Sequence, residues 1–185
     1  GAMNAEALSP PRLTDADTLI ADMGARARAA AKRLAVATTE DKAAALRAAA
    51  VQLRTQATAI LDANARDMAA GKTAGLTAAM LDRLHLDESR LGAIADAVEA
   101  VAALPDPVGQ VIDRAVRPNG IELNRVRVPL GVVGIIYESR PNVTADAAAL
   151  GLMSGNAVIL RGGSEAVNSN RAIHAAMAAG LEASG

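Results

Sequence analysis

Two short polar clusters carry the side chains best suited to chemistry in this 185-residue chain. The first is Tyr137-Glu138-Ser139-Arg140-Pro141-Asn142, and it follows an apolar run at 132–136. The second is Arg161-Gly162-Gly163-Ser164, and it follows an apolar run at 157–160. Hydroxyl, guanidinium and amide groups can bind phosphate or polarise a carbonyl, and glycines let a ligand approach the backbone. The plain alternative for both clusters is an ordinary polar turn.

The segment 129–165 predicts the elements that would position these clusters. An Ala-rich stretch of helical composition, 143–153, separates the two apolar runs, and about thirty residues is the size of a βαβ unit. Both runs are continuously apolar, which is typical of parallel strands covered on both faces. Ligands bind outside the carboxyl ends of such strands. We therefore predict that both clusters lie at the ligand-binding edge of a parallel sheet.

The second cluster also bears on the type of cofactor. A site for NAD places an acidic residue near the end of the second strand, whereas Arg or Ser there tolerates the 2′-phosphate of NADP. Arg161 and Ser164 favour the phosphate, although Glu165 lies one residue further on. The G-x-G-x-x-G fingerprint is absent from the segment, so the standard pyrophosphate turn is not predicted.

The first hundred residues predict a helical region. Helix-start signals occur at Thr14, Thr39, Thr77 and Asp87, and the apolar pattern that begins at Thr39 continues to Gly71. We interpret residues 1–13 as a tag remnant, Gly1-Ala2-Met3, followed by a flexible tail.

The pattern changes to strands after Pro107. Two β-compatible runs, 111–117 and 121–128, are separated by Pro118-Asn119-Gly120, and Asn-Gly between such runs is a strong hairpin signal. An isolated hairpin is marginal in water. We therefore expect this arm to pair with another part of the protein or with another subunit.

Composition narrows the classes of function. The net charge is −1 with no basic block, which does not favour nucleic acid. No cysteine is present, so disulfides, thiolate metal sites and a Cys nucleophile are excluded from this chain. His85 and His174 are the only histidines and lack the spacing of metal ligands. With no apolar leader and no apolar run near 18 residues, we expect a cytoplasmic protein that does not bind membranes.

Gly71-Lys72-Thr73 matches the end of a phosphate-binding P-loop. That motif requires a glycine at position 66, which is Arg66 here, and no apolar strand precedes it. We interpret these residues as the end of a helix.

Long stretches of the chain resemble one enzyme family. The strings RVRVPLGVVGIIYESRPNVTADAAAL from Arg125 and SGNAVILRGGSEA from Ser154 are similar to γ-glutamyl phosphate reductase, also called glutamate-5-semialdehyde dehydrogenase. This family belongs to the aldehyde dehydrogenase superfamily. The resemblance implies an α/β fold with N-terminal helices at 14–107, a β-hairpin oligomerisation arm at 108–128, and the start of a Rossmann-like parallel sheet at 129–185.

The resemblance also implies an activity. The family reduces L-glutamyl 5-phosphate with NADPH to L-glutamate 5-semialdehyde and phosphate, in L-proline biosynthesis. A cysteine thiolate displaces the phosphate, and NADPH then donates hydride to the thioester. The family suggests a homo-oligomer formed through the arm, and it raises glutamate 5-kinase as a further partner.

Roles for individual residues follow from the same resemblance. Ser139, Arg140 and Asn142 would face the substrate or the developing oxyanion. The residues that would bind the cofactor are Tyr137, Glu138, Ser139, Arg161, Gly162, Gly163 and Ser164.

Two departures from the family pattern matter. The catalytic cysteine of the family lies beyond residue 185, so we expect this chain to be an N-terminal part that is inactive alone. Met153 stands where the family pattern has a lysine, which puts any charge contact at that position in doubt. The alternative to a reductase is a non-catalytic protein of the same superfamily that binds a dinucleotide or mediates subunit association.

Overall fold

The computed structural model describes residues 14–185, and the interpretation of residues 1–13 lies outside them. The described residues form seven α-helices, four strands and a short 3₁₀ helix. The helices are α1 (Asp15–Leu34), α2 (Thr39–Thr55), α3 (Ala57–Thr73), α4 (Ala78–Leu84), α5 (Glu88–Ala102), α6 (Pro141–Met153) and α7 (Val167–Ala183). The strands are β1 (Val111–Val116), β2 (Glu122–Val126), β3 (Val132–Ile136) and β4 (Ala157–Arg161), and the 3₁₀ helix is Ser164–Ala166.

Side-chain caps begin four of the helices close to where the sequence predicts them. Thr14 forms a capping box with Asp17 at the start of α1. Thr77 and Asp87 cap α4 and α5 by accepting hydrogen bonds from backbone N–H groups. The cap of α2 is Thr38, one residue before the predicted start. These bonds satisfy donors that have no partner within the helix, and so they define its first turn.

The continuous helix predicted from Thr39 to Gly71 is wrong. The chain breaks at Gln56, whose φ of −94° and ψ of 18° separate α2 from α3. No proline or glycine marks the break. The two helices pack differently, because α2 lies against α5 and α7 whereas α3 lies against α7 and α4. Gly71 lies inside α3, two residues before its end, so the Gly-Lys-Thr triplet is the last turn of a helix.

The core consists of small and aliphatic side chains from α2, α3, α5, α6 and α7. With no Phe or Trp in the chain, close approach of helices replaces large side chains. Helix α7 approaches α2 closely at Gly180, where a Cβ would clash with the backbone of Ala49. The fully buried large apolar residues of this core are Leu46, Leu53, Ile60, Val98 and Ile173.

Strands β3 and β4 pair in parallel, as predicted, in a register that runs from Val132↔Ala157 to Ile136↔Arg161. The prediction that both faces are covered is wrong for β3. The face of the sheet that contains Val158 of β4 packs on α6, since a Cβ at Gly151 would meet Val158. On the other face Ile136 is 84% exposed. Strand β3 has only β4 as a partner within the described residues.

The hairpin predicted from Asn119-Gly120 is confirmed. Strands β1 and β2 pair antiparallel, and Gly120 takes the positive φ of 86° that the turn requires. Every residue of both strands is exposed. Among residues 14–185, no helix is both long and apolar enough to cross a membrane.

Candidate functional site

The two polar clusters meet at the carboxyl ends of β3 and β4. The N–H of Tyr137 donates to the carbonyl of Arg161 at 3.0 Å and extends the ladder by one residue. This places Gly162 against the Tyr137 ring, where a Cβ would lie 3.1 Å from two ring carbons and would clash with the Asn170 amide. Position 162 therefore needs a glycine because the ring and the amide occupy the space of a side chain.

The first cavity at this edge lies beside Tyr137 and has a volume of about 310 Å³. The Tyr137 hydroxyl is 2.7 Å from the Thr144 hydroxyl, which in turn donates to Asn170 at 3.1 Å. This chain of hydrogen bonds holds the ring between β3 and the helices α6 and α7. The lining includes Gly162, Gly163, Ser164, Arg171 and His174. We call it the Tyr137 cavity.

Ser139 and Gly163 bring the two strand ends into direct contact. A Cβ at Gly163 would lie 2.9 Å from the Ser139 backbone nitrogen and would clash with its hydroxyl. The Ser139 hydroxyl donates to the carboxylate of Glu165, and this bond holds the pKa of Glu165 below its usual value. A second cavity of about 380 Å³ lies here and is lined by Arg83, Glu138, Arg140 and other residues.

A third cavity, of about 410 Å³, lies on the far side of Arg140. The Arg140 Nε donates to Glu138 at 3.2 Å, and Arg83 lies 3.9 Å from the same carboxylate. Asn142 donates to Asp146 at 3.3 Å, and both line this cavity. Its wall thus presents guanidinium groups beside carboxylates. We call it the Arg140 cavity.

Arg90 and Asp82 also line the Arg140 cavity and pair with each other. The Arg90 Nη2 donates to Asp82 at 2.7 Å. This hydrogen bond, reinforced by charge attraction, lowers the pKa of Asp82 and raises that of Arg90. Arg83 and Arg140 are therefore the guanidinium groups of this wall that a ligand can reach without separating the Arg90–Asp82 pair.

The structure separates Arg161 from Ser164. Arg161 is in register with the exposed Ile136, and alternation along the strand places it on the face opposite Tyr137. Ser164 lines the Tyr137 cavity, whereas Arg161 does not. A dinucleotide that contacts both must pass over the end of β4.

Several residues at this edge lack a sequence signal that could have found them. Arg83 is on α4, far upstream of both clusters, and Thr144 and Asn170 are ordinary helix residues by spacing. His174, which lacks the sequence spacing of a metal ligand, is exposed and lines the Tyr137 cavity. Within residues 14–185, no three His, Cys, Asp or Glu side chains are grouped so as to hold a metal ion.

Comparison with known proteins shows what the chain resembles. No protein-family model matches it. A curated γ-glutamyl phosphate reductase of Sphingopyxis alaskensis is 74% identical over 177 residues, which are 96% of this chain and 41% of the relative. The reductase of Rhodospirillum rubrum is 58% identical over 176 residues, 94% of this chain and 41% of the relative.

Solved structures agree. The γ-glutamyl phosphate reductase of Thermotoga maritima is 43% identical with a TM-score of 0.85, over 89% of this chain and 40% of that one. The chain is similar to the N-terminal part of the γ-glutamyl phosphate reductases. The reductase of Saccharomyces cerevisiae has a TM-score of 0.83 at 34% identity, over 88% of this chain and 41% of that one.

The resemblance to the γ-glutamyl phosphate reductases expected from the sequence is thus confirmed, and so is the fold class. A putative aldehyde dehydrogenase of Bacillus subtilis, 24% identical with a TM-score of 0.62 over 90% of this chain and 33% of that one, shares the fold. The chain spans about 40% of the length of the curated reductases it matches.

Proposed function

We propose that this chain forms the N-terminal, cofactor-binding part of an NADPH-dependent reductase. The reaction is the conversion of L-glutamyl 5-phosphate to L-glutamate 5-semialdehyde and phosphate. One observation carries the proposal: the carboxyl ends of β3 and β4 are in contact and have cavities beside them. The residues in contact are Tyr137, Ser139, Gly162 and Gly163. This edge of the sheet lies in a chain similar to γ-glutamyl phosphate reductases over nearly all of its length.

The residues of this edge fit a nicotinamide dinucleotide, the class of cofactor that the aldehyde dehydrogenase relationship implies. Gly162 and Gly163 line the Tyr137 cavity, and Ser164 supplies a hydroxyl there at the start of a 3₁₀ helix. Tyr137 lines the first cavity, and Glu138 lines the second. The bound cofactor supplies hydride. We propose NADP rather than NAD because Arg161 can neutralise a 2′-phosphate.

The substrate side of the proposed site is the Arg140 cavity. L-Glutamyl 5-phosphate carries a carboxylate and a phosphate, and guanidinium groups bind both with paired hydrogen bonds. Arg140 and Arg83 supply these groups, and Asn142 supplies a neutral donor in the same cavity. Ser139 supplies a hydroxyl in the second cavity, which Arg83 and Arg140 also line. The two sides adjoin at the Ser139–Gly163 contact.

The cofactor part of this proposal is tested by titrating the chain with NADPH and with NADH. Replacing Arg161 with Ala should weaken NADPH about tenfold, because a charge-assisted contact to the 2′-phosphate is lost. NADH binding should not change. Arg117→Ala, in the exposed hairpin turn, is the matched control and should affect neither cofactor. Equal weakening of NADPH and NADH by Arg161→Ala would contradict the 2′-phosphate role.

A second candidate is a non-catalytic protein that binds a dinucleotide or mediates subunit association. The observation that favours it is the exposed hairpin β1–β2, which offers a surface for subunit association. Neither candidate predicts turnover of L-glutamyl 5-phosphate by this chain alone. Mixing the chain with the remaining part of a related reductase distinguishes the two candidates. Only the first candidate predicts that the mixture turns over L-glutamyl 5-phosphate.

The partners proposed for the protein are a second copy of itself and glutamate 5-kinase. The exposed hairpin β1–β2 supports the first, since its strands have free edges and apolar side chains. The second is proposed on family resemblance alone. Sedimentation velocity of a mixture with the kinase tests this association. Separate sedimentation of the chain and the kinase would contradict it.

A further inference from the structure

One turn of α3 carries two polar side chains into the protein interior. Asn64 is 1% exposed and Asp67 is 2% exposed, and their spacing of three residues places them on the same face of the helix. Burying an amide and a carboxylate is unfavourable unless every polar atom finds a partner. Their partners come from two other helices.

Asp67 receives four hydrogen bonds from the start of α7. Its Oδ2 accepts from the N–H and the hydroxyl of Ser169 at 2.7 and 2.6 Å. Its Oδ1 accepts from the N–H and the side-chain amide of Asn168 at 3.3 and 2.8 Å. Helix α7 has no side-chain cap of its own. A carboxylate from a distant helix therefore fills that role, where the helix dipole favours negative charge.

Asn64 holds the other end of the arrangement. Its amide nitrogen donates to the carbonyl of Leu84 at 2.8 Å, and its oxygen accepts from the N–H of Leu86 at 2.8 Å. These are the last residue of α4 and the loop that follows it. The same amide nitrogen lies 3.1 Å from the hydroxyl of Ser169, so this hydroxyl accepts from Asn64 while it donates to Asp67.

The elements held in this way are the two sides of the proposed site. Helix α7 follows the Gly162–Ser164 loop, and it carries Asn170, which contacts the Tyr137–Thr144 pair. Helix α4 carries Arg83 on the substrate side. We propose that Asn64 and Asp67 are positioning residues. They hold the Gly162–Ser164 loop, which we call the cofactor loop, at a fixed distance from Arg83. This inference rests on the proposed function for its catalytic meaning, but not for its structural content.

A positioning role differs from a general contribution to stability in what it changes. Lys42 is a matched comparison, because it is also a buried polar residue that connects the helical region to the βαβ unit, through the carbonyl of Met153. It does not contact α7 or the Gly162–Ser164 loop through a hydrogen bond. Loss of Lys42 should therefore destabilise the fold without loosening the cofactor loop.

The experiment compares Asp67→Ala, the milder Ser169→Ala and Lys42→Met in the full 185-residue chain. Backbone amide exchange is measured at 162–171 and at 83–86, together with the Kd for NADPH, at a temperature where all variants are folded. We expect Asp67→Ala to speed exchange at 162–171 about tenfold and to raise the Kd about tenfold, since a helix cap is lost. Ser169→Ala should do the same more weakly. Lys42→Met should leave the exchange rate at 162–171 and the Kd for NADPH at their wild-type values.

The outcomes separate the inference from the proposed function. Unchanged exchange at 162–171 in both Asp67→Ala and Ser169→Ala overturns the inference, and so does equal loosening by Lys42→Met. If the wild-type chain does not bind NADPH, the proposed function fails, and the exchange measurement alone decides the inference. If Asp67→Ala does not fold, Ser169→Ala provides the same comparison.

Discussion

The charge of Lys42 lies inside the protein, where its side chain is 1% exposed. Its ammonium group donates to Asp106 at 2.8 Å and to the carbonyl of Met153 at 3.1 Å. Position 153, where the family pattern has a lysine, carries a buried methionine here. The Met153 side chain packs in the apolar core, and its carbonyl accepts the only hydrogen bond from a charged group that the described residues show there.

The carboxylate of Asp106 should make the stability of the fold depend on pH. Burial acts to raise the pKa of Asp106, but hydrogen bonds from Lys42, Thr39 and the Val108 N–H outweigh it and leave the pKa below its usual value. The folded state therefore binds this proton more weakly than the unfolded state. The stabilisation is complete above the unfolded pKa of about 3.9 and is lost as the pH falls through the folded pKa.

Replacing Asp106 with Asn should thus lower the free energy of unfolding by about 3 kcal/mol near neutral pH, because Lys42 loses its buried partner. The difference from wild type should narrow below about pH 4. Urea denaturation across that range measures both. Asp22→Asn, in an exposed pair with Arg26, is the control and should change stability by less than about 0.5 kcal/mol. A difference that stays constant with pH would contradict this prediction.

At the scale of elements, one pair of helices is in backbone contact. Helix α7 crosses α2 at Gly180, where an added Cβ would lie 2.7 Å from the carbonyl carbon of Ala48 and closer still to Ala49. Backbone cannot move aside as a flexible side chain can. The glycine is therefore required by packing and not by its conformation.

Gly180→Ala should accordingly destabilise the fold by about 2 kcal/mol through overpacking. Gly92→Ala, inside α5 with no atom within 4 Å of the added Cβ, is the matched control and should stabilise it by up to about 1 kcal/mol. Chemical denaturation of both variants measures the difference. Similar effects of the two substitutions would show that helix propensity, not contact with α2, decides the outcome at Gly180.

The helices and strands also show which structural features could be predicted from the sequence. The starts of α1, α4 and α5 were predicted at the observed caps because a cap involves residues three apart. The break at Gln56 was not predicted, because it reflects different packing partners for α2 and α3. The apolar face of β3 that contains Ile136 was predicted to be covered but is exposed, since composition does not show which element packs on a given face.

At the scale of the whole molecule, the hairpin is an element that the rest of the described structure leaves uncovered. Its root is fastened by the N–H of Gly109, which donates to the carbonyl of Arg127, and by Gln110, which donates to the carbonyl of Asp106. Beyond the root, large apolar side chains are 41–70% exposed. They are Val111, Ile112, Val116, Ile121, Leu123 and Val126. Such an arm is typical of a surface that associates.

The double substitution Ile112→Glu and Leu123→Glu should therefore shift the protein towards monomer in sedimentation velocity. The apolar side chains would carry charges that a packed interface disfavours. Val36→Glu adds a charge at another apolar position, 82% exposed and outside the arm, and should leave the sedimentation coefficient unchanged. A wild-type chain that is already monomeric at high concentration would contradict self-association through the arm.

The sequence by itself determined the starts of α1, α4 and α5, the hairpin and the βαβ unit. Each depends on hydrogen bonds and apolar periodicity among neighbouring residues. It also carried the strings that relate the chain to the γ-glutamyl phosphate reductases. Only the tertiary structure decided that Ser139 touches Gly163, that Arg161 faces away from Ser164, and that Asp67 caps a helix about a hundred residues later. Those contacts join distant segments, and local residue patterns carry no information about which distant segments will meet.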